Sequence, residues 1–175
     1  NNILNSNINR KDFLEAAEQL FQAQTASKTQ QHQNLSKPQL LDISLRKGGF
    51  SGLMYGLLLK PTPSPLFLDM SYLLGSFGQL MDDVFDLYDD AQEGVRTFAN
   101  QYNSVEEIRQ VISSKIREIQ KLAVQLESQK YTTYHFLNVL QIFSSTIELA
   151  LLQYEMIENT QHINPNQCEQ LPRKM

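Results

Sequence analysis

The spacing of apolar residues is the feature that most constrains the fold of this chain. Apolar side chains recur every three or four positions almost throughout, alternating strand-like stretches are absent, and Gly and Pro cluster between the periodic runs. The sequence therefore predicts an all-α protein. Its 175 residues are enough for one helical domain, predicted at 1–160, followed by a flexible polar tail at 161–175.

Five helical segments are predicted from this periodicity. Their approximate limits are 10–28, 37–59, 66–90, 104–127 and 131–159. Ser36 and Ser104 have the sequence context of N-caps, the second in a Ser-x-x-Glu capping box. The apolar residues expected on one side of the first helix are Phe13, Leu14, Ala17, Leu20 and Phe21.

Two of the predicted helices are unusual. The second contains Gly48, Gly49, Gly52 and Gly56, and this run of small residues allows a backbone or a ligand to approach closely. The third, at 66–90, is apolar nearly all round and is expected to be central and buried, yet its last turns are acidic.

Composition argues against several classes of function. The formal charge is −4 and no Lys/Arg-rich block is present, which disfavours nucleic acid as a partner. A single cysteine, Cys168, cannot form an internal disulfide, so a cytoplasmic location is favoured. Residues 1–9 lack the basic and apolar regions of an export signal. The apolar window at 135–156 is predicted to be a buried helix, with no transmembrane segment, because it carries polar and acidic residues that would be costly in lipid. Among them are Asn138, Gln141, Ser144, Ser145, Glu148 and Gln153.

The acidic end of the third helix carries the chemistry. Asp82, Asp86 and Asp90 recur every four residues on one stripe, with Gln79 one turn earlier and Asp83 adjacent. Carboxylates at this spacing repel one another, so a divalent cation is the natural compensator. Magnesium prefers hard oxygen ligands and joins one or two carboxylates to phosphate oxygens. The pattern predicts a magnesium-diphosphate site.

The alternative interpretation is that these aspartates form the solvated end of a helix. Two features disfavour it. Acidic residues at a helix C-terminus oppose the macrodipole, which favours cations there. In addition, the preceding turns are apolar on every side, which places the acidic cluster at the mouth of a buried space.

The segment from Gln79 to Asp86 resembles the second aspartate-rich motif of the trans-prenyltransferases, which are class I isoprenoid synthases with the terpenoid synthase fold. Other family features appear in the family's order. Gln24 lies where the family has a Gly-Gln pair, with Ala23 in place of glycine. Lys47 lies where it has Lys-Thr, and Arg96 replaces the lysine that follows the aspartates.

The resemblance implies a prenyl transfer in which magnesium assists the ionisation of an allylic diphosphate. It implies that Lys47 and Arg96 neutralise the departing diphosphate and that Gln79 and Gln24 line the substrate site. The implied magnesium ligands are Asp82, Asp83, Asp86 and Asp90, the first three of them catalytic together with Lys47. The expected apolar walls are Phe50, Met54, Phe77 and Met81.

Family members carry a first aspartate-rich motif followed by paired arginines, and neither lies upstream of Asp82 here. The chain is therefore expected to be the C-terminal portion of a longer enzyme or a noncatalytic subunit, inactive alone. The expected partners are isoprenoid diphosphates and either a second copy, as a homodimer, or a complementing subunit. A squalene- or phytoene-synthase-like enzyme, with Asp86 and Asp90 as its motif, and a helical interaction protein remain alternatives. Product chain length and cosubstrate stay open.

Overall fold

The computed structural model describes residues 10–32, 34–59, 63–102 and 104–157, which contain helices and no strand. The predicted all-α class is confirmed. In chain order the helices are α1 (Arg10–Ser27), a 3₁₀ helix (Lys28–Gln31), α2 (Lys37–Leu57), α3 (Pro65–Phe85), α4 (Leu87–Gln92), α5 (Phe98–Gln101), α6 (Val105–Ser128) and α7 (Tyr134–Ile157).

Serine side chains mark the starts of the long helices, as the sequence predicts. Ser104 Oγ accepts a hydrogen bond from the backbone N–H of Glu107 at 3.2 Å. At the start of α2 the backbone N–H of Ser36 donates to Gln39 Oε1 at 2.9 Å, which is the reciprocal bond of a capping box. These bonds satisfy amide groups that have no partner within the first turn of a helix. Helix α3 starts at Pro65, and Ser64 Oγ accepts a hydrogen bond from the Phe67 N–H at 3.3 Å.

The predicted apolar side of α1 is only partly buried. Phe21 is 72% exposed and Leu14 is 49% exposed, whereas Ala16 and Ala23 are buried. Since α1 packs on α2, the small alanines are the side chains that fit between the two helices. Of the larger apolar residues of α1, Leu14 and Phe21 remain exposed, whereas Phe13 and Leu20 are half-buried.

The predicted third helix is interrupted at Asp86. This residue ends α3 with φ −90° and ψ 10°, and the short α4 follows it. The backbone N–H of Asp86 still donates to Asp82 O and that of Asp90 to Asp86 O, both at 2.8 Å. The acidic stripe therefore keeps its four-residue register across the break. The short α5 has no counterpart in the sequence prediction, because four residues are too few to show periodicity.

Helices α2 and α3 touch along their backbones at a seam of glycines, Gly48, Gly52 and Gly75. A Cβ on Gly75 would lie 2.1 Å from Gly48 O, and a Cβ on Gly52 would lie 2.2 Å from Ser71 O. Nearby, Ser76 Oγ donates a hydrogen bond to Leu45 O at 2.8 Å. Of the two possibilities for the glycines, backbone approach is the one observed.

The main hydrophobic core lies between α3, α5, α6 and α7. Its fully buried members include Leu80, Val84, Phe98 and Ile119. Tyr154 on α7 donates a hydrogen bond from its hydroxyl to Val84 O at 2.6 Å. Helix α3 is thus central, as predicted, with α2 on one side and the core on the other.

Helix α7 is only partly buried, which corrects the prediction that it is a buried helix. Its inward stripe includes Leu140, Ile147 and Leu151, but several large apolar residues face outward. Within the described residues, Tyr134–Met156 is long and apolar enough to cross a membrane, and 22% of that window is buried. The final turn of the predicted helix and the predicted tail at 161–175 lie outside the described residues.

Candidate functional site

A small polar cavity lies where α2, α3, α4 and the loop after α4 meet. Its volume is about 70 Å³. The described residues lining it are Gln30, Ser44, Lys47, Gln79, Asp82, Asp83, Asp86, Asp90, Val95 and Thr97. The fold therefore gathers in one place all four aspartates, the lysine of α2 and one of the two glutamines singled out from the sequence.

Asp83 is the innermost of the four carboxylates and is 5% exposed. Ser44 Oγ donates a hydrogen bond to Asp83 Oδ2 at 2.5 Å. Gln79 Nε2 donates to Asp83 Oδ1 at 2.9 Å and to Asp82 Oδ2 at 3.1 Å. These bonds fix the orientation of Asp83, while Asp82 and Asp86 lie at the exposed mouth of the cavity.

Two of the carboxylates hold their protons unusually tightly. Burial raises the pKa of Asp83 from 3.8 to about 6, although the hydrogen bonds from Ser44 and Gln79 and the charge of Lys47 act to lower it. Burial also raises the pKa of Asp90 to about 7, with the charges of Asp83, Asp86 and Asp82 adding to the effect. Lys47 opposes both shifts and is the one basic residue among those that line the cavity.

The loop between α4 and α5 closes one side of the cavity. Gly94 ends α4 with φ +68°, a conformation that favours glycine, and Val95 N–H donates to Asp90 O at 2.8 Å. The loop is joined to the 3₁₀ helix by two reciprocal bonds: Gln30 Nε2 to Arg96 O at 2.8 Å and Arg96 N to Gln30 O at 3.3 Å. Val95 and Thr97 are thereby held against the carboxylates.

Thr97 brings an unsatisfied hydroxyl into this cavity. The residue is 4% exposed, and its Oγ1 is buried without a hydrogen-bond partner in the described part of the chain. Asn100 accepts from the Thr97 N–H at 3.0 Å, but the hydroxyl does not complete the reciprocal bond of a capping box. A buried hydroxyl without a partner is costly, so its place in a polar cavity suits a small bound species.

The structure places the other residues predicted for the site elsewhere. The guanidinium of Arg96 bonds to Asn34 Oδ1, Leu35 O and Gln101 Oε1, and Arg96 is not among the lining residues. Gln24 is exposed on α1 and does not line the cavity either. Arg96 thus braces the loop in this structure.

The expected apolar walls are not assembled into a pocket next to the carboxylates. Phe77 belongs to the core, against which Met81 packs. Phe50 lies in a separate cavity of about 320 Å³ between α1, α2 and α3, whose rim carries Asp12, Glu15 and Asp69. Neither this cavity nor the polar one brings an expected apolar wall against the carboxylates, so the described residues provide the polar part of the predicted site.

The sequence did not predict three polar residues that line the cavity, Ser44, Gln30 and Thr97, or the apolar Val95. Ser44 lies one helical turn before Lys47 and therefore on the same face of α2, so helical spacing places it in the site together with Lys47. Gln30 and Thr97 lie in irregular segments joined only by long-range bonds, and no sequence pattern marked them.

The chemistry of the donor set fits magnesium, but the site is not a closed metal cage. Across residues 10–32, 34–59, 63–102 and 104–157, no three Asp, Glu, His or Cys side chains are placed to hold one ion. Magnesium requires fewer protein ligands than this, because it keeps several waters and takes phosphate oxygens. One or two carboxylates at the mouth, with the unsatisfied Thr97 hydroxyl, are enough oxygen ligands for such a site.

The stability of the metal-free protein should fall as the pH rises from about 4 to 7. The pKa of Asp83 and that of Asp90 are higher in the folded state than their ordinary value. Their contribution to the free energy of unfolding is therefore fully present below a pH of about 4. It is lost as the pH rises through the folded-state pKa values of about 6 and about 7. For buried Asp83 the loss is on the order of 2–3 kcal/mol.

Urea unfolding in EDTA at pH 5 and pH 7.5 measures this loss. The Asp83→Asn variant, which is uncharged at both pH values, should show a smaller decrease in midpoint than the natural chain. Equal decreases in the two proteins would contradict the assignment of the effect to Asp83.

Comparison of the chain with protein-family models, curated proteins and solved structures found no match. The function must therefore be inferred from the chain's own residues and their positions.

Proposed function

We propose that the chain provides the magnesium-diphosphate half of a class I isoprenoid synthase, a prenyltransferase with the terpenoid synthase fold. The observation that carries the proposal is the meeting of Lys47 from α2 with the four aspartates of α3 and α4 in one polar cavity. The family resemblance of the sequence implies roles in diphosphate binding for the same residues. Support thus comes from two sources, a motif pattern and a spatial arrangement.

The cavity has room for an ion and a few waters, so the diphosphate would lie at its mouth. Asp82 and Asp86 are exposed there and are the carboxylates best placed to share a cation with phosphate oxygens. Lys47 would neutralise a diphosphate oxygen, and Ser44 and Gln79 hold Asp83 in position. Bound magnesium would supply stabilisation of the charge that develops on the diphosphate as an allylic C–O bond ionises.

On this proposal the chain does not act alone. A carbocation must be kept from water, and the expected apolar walls Phe50, Met54, Phe77 and Met81 do not line the polar cavity. The walls of an apolar pocket and a second metal-binding motif would come from another portion of the enzyme or from a complementing subunit.

A squalene- or phytoene-synthase-like reaction is the second candidate. Asp86 and Asp90 remain four residues apart in helical register, and both line the cavity. This spacing is the one that the looser resemblance implies. Both candidates require the same magnesium-assisted ionisation, so the binding experiment below tests what they share.

Magnesium and pyrophosphate together should raise the melting temperature of the protein by about 5–10 °C at a ligand concentration near 100 times the dissociation constant. Asp82→Ala should remove most of this shift, because it removes a proposed magnesium ligand. Asp82 is exposed, so its replacement leaves the core intact. Differential scanning fluorimetry with magnesium alone, pyrophosphate alone and both measures the effect.

Asp89→Ala is the matched control. Asp89 is also an exposed aspartate of the acidic segment, but it does not line the cavity. It should keep the full shift. A shift retained by Asp82→Ala would show that Asp82 does not bind the metal. A shift lost equally in both variants would show that the acidic segment acts only through its overall charge.

A further inference from the structure

A second cavity, which we call the amphipathic cavity, opens between α1, α2 and α3. Its volume is about 320 Å³, and it shares no lining residue with the polar cavity that contains the four aspartates. The two cavities use different faces of α2, since Lys47 lines the polar one and Leu53 and Leu57 line the other. Binding sites for small molecules have volumes of roughly 300–1,000 Å³, so this cavity has room for a small organic ligand.

The floor of the amphipathic cavity is apolar. Phe50, Leu53 and Leu57 recur at three- and four-residue spacing on α2, and Leu68 of α3 lines the same space. Leu57 is buried, whereas the other three side chains are half-buried and keep part of their apolar surface in contact with solvent. A hydrocarbon or aromatic group bound here would remove that surface from water, which is favourable.

The rim of the amphipathic cavity is acidic. Asp12 and Glu15 of α1 and Asp69 of α3 line it, and no basic residue is among its described lining residues. Asp69 is the only charged residue of α3 before Asp82. Glu15 and Asp69 form no hydrogen bond or ion pair with the part of the chain that the structure describes. The rim therefore carries negative charge that favours a cationic ligand.

The chain itself places a cation beside this cavity. The guanidinium of Arg46 lies 6.0 Å from the centre of the Phe50 ring and donates a hydrogen bond to Gln19 Oε1 at 3.5 Å. Phe50 and Gln19 both line the cavity, whereas Arg46 does not, and its guanidinium also lies 3.9 Å from Asp42. Aromatic faces attract cations, so two of the lining residues already interact with a positive charge at the edge of the cavity.

From the apolar floor and the acidic rim we propose that the amphipathic cavity binds a small organic ammonium ion with an aliphatic or aromatic body. The body packs on Phe50, Leu53 and Leu68, and the ammonium group pairs with Glu15 and Asp69. An inorganic cation would leave the apolar floor in contact with water, and an organic anion would bring a second negative charge to the rim. Binding in this cavity does not require the proposed diphosphate chemistry.

Three ligands that differ only in their polar group test the proposal on the whole chain. At pH 7.5 phenylbutylammonium is cationic, phenylbutanol is neutral and phenylbutanoate is anionic. Isothermal titration calorimetry at low salt should show that the ammonium binds about tenfold more tightly than the alcohol, because two partly exposed ion pairs together contribute about that factor. The carboxylate should show no binding. High salt should reduce the preference for the ammonium, since salt screens exposed charges.

Variants of the rim separate the ion pairs from general attraction to an acidic protein. The double variant Glu15→Gln/Asp69→Asn should bind the ammonium and the alcohol equally, because it keeps the apolar floor and loses the charge of the rim. Glu18→Gln/Glu93→Gln is the matched control. It removes two negative charges from exposed residues that do not line the cavity, and it should keep the tenfold preference. Circular dichroism shows whether both variants remain helical.

Methyl NMR locates the bound ligand. Addition of phenylbutylammonium should shift the methyl signals of Leu53 and Leu68, and it should not shift those of Leu149 and Leu152 on the exposed face of α7. The inference would be overturned by shifts confined to α7, by equal affinities of the natural chain for the ammonium and the alcohol, or by the absence of binding. A tenfold preference that persists in Glu15→Gln/Asp69→Asn would overturn it as well.

Discussion

Replacement of Gly75 by alanine should lower the free energy of unfolding by about 3 kcal/mol and the melting temperature by about 10 °C. The new Cβ would lie 2.1 Å from Gly48 O, which is a backbone atom of α2 and cannot turn aside as a flexible side chain would. The two helices would have to separate, and the hydrogen bond from Ser76 to Leu45 would weaken with them. Urea and thermal unfolding followed by circular dichroism measure the loss.

Gly78→Ala is the control for helix propensity. Gly78 lies three residues further along α3, and a Cβ there would meet no atom within 4 Å. Alanine should therefore stabilise the protein by about 0.5–1 kcal/mol, since glycine is the poorer helix former. If both substitutions changed stability in the same direction, backbone contact would not be what requires glycine at position 75.

Lys47→Met should weaken the binding of magnesium pyrophosphate about 30-fold, the effect of losing one charge-assisted hydrogen bond of roughly 2 kcal/mol. The long apolar stem is kept, so helix α2 is not disturbed. The substitution should also raise the pKa of Asp83 further, because the charge of Lys47 acts to lower it. Isothermal titration calorimetry measures the affinity, and NMR titration of the Asp83 carboxyl measures the pKa.

The adjacent residue supplies a matched control. Arg46 is equally basic, but its guanidinium lies 3.9 Å from Asp42 and 3.5 Å from Gln19, and it does not line the cavity. Arg46→Met should leave both the affinity and the pKa of Asp83 unchanged. Equal losses of affinity in the two variants would point to general attraction between the anion and basic residues.

The long helices were predictable because each carries many turns of periodic apolar residues and a recognisable start. Ser36 and Ser104 mark the first turns of α2 and α6. Local sequence did not predict which helix faces are buried where long-range packing determines this. Nothing in the sequence near Phe21 shows that α1 would bury its alanines instead. Helix α7 carries large apolar residues on its exposed face as well as on its buried stripe, so the sequence does not distinguish the two.

The candidate site was predictable to the extent that it follows helical geometry. Four-residue spacing placed Asp82, Asp86 and Asp90 together, and their register survived the break at Asp86. The role of Arg96 was less accessible. Its guanidinium bonds to Asn34 and Leu35, more than 60 residues earlier in the chain, and a sequence motif carries no information about such partners.

The glycine seam has a consequence for how this protein can change over evolutionary time. Ser44 and Asp83 are short side chains, and their oxygens meet across two helices at 2.5 Å because the backbones touch at Gly48 and Gly75. A lineage that enlarged either glycine would push apart the two groups that orient the inner carboxylate. A larger residue at the seam would therefore need a longer side chain at 44 or 83 to restore this contact, and the spacing of the helices and the polar chemistry between them would be inherited as one unit.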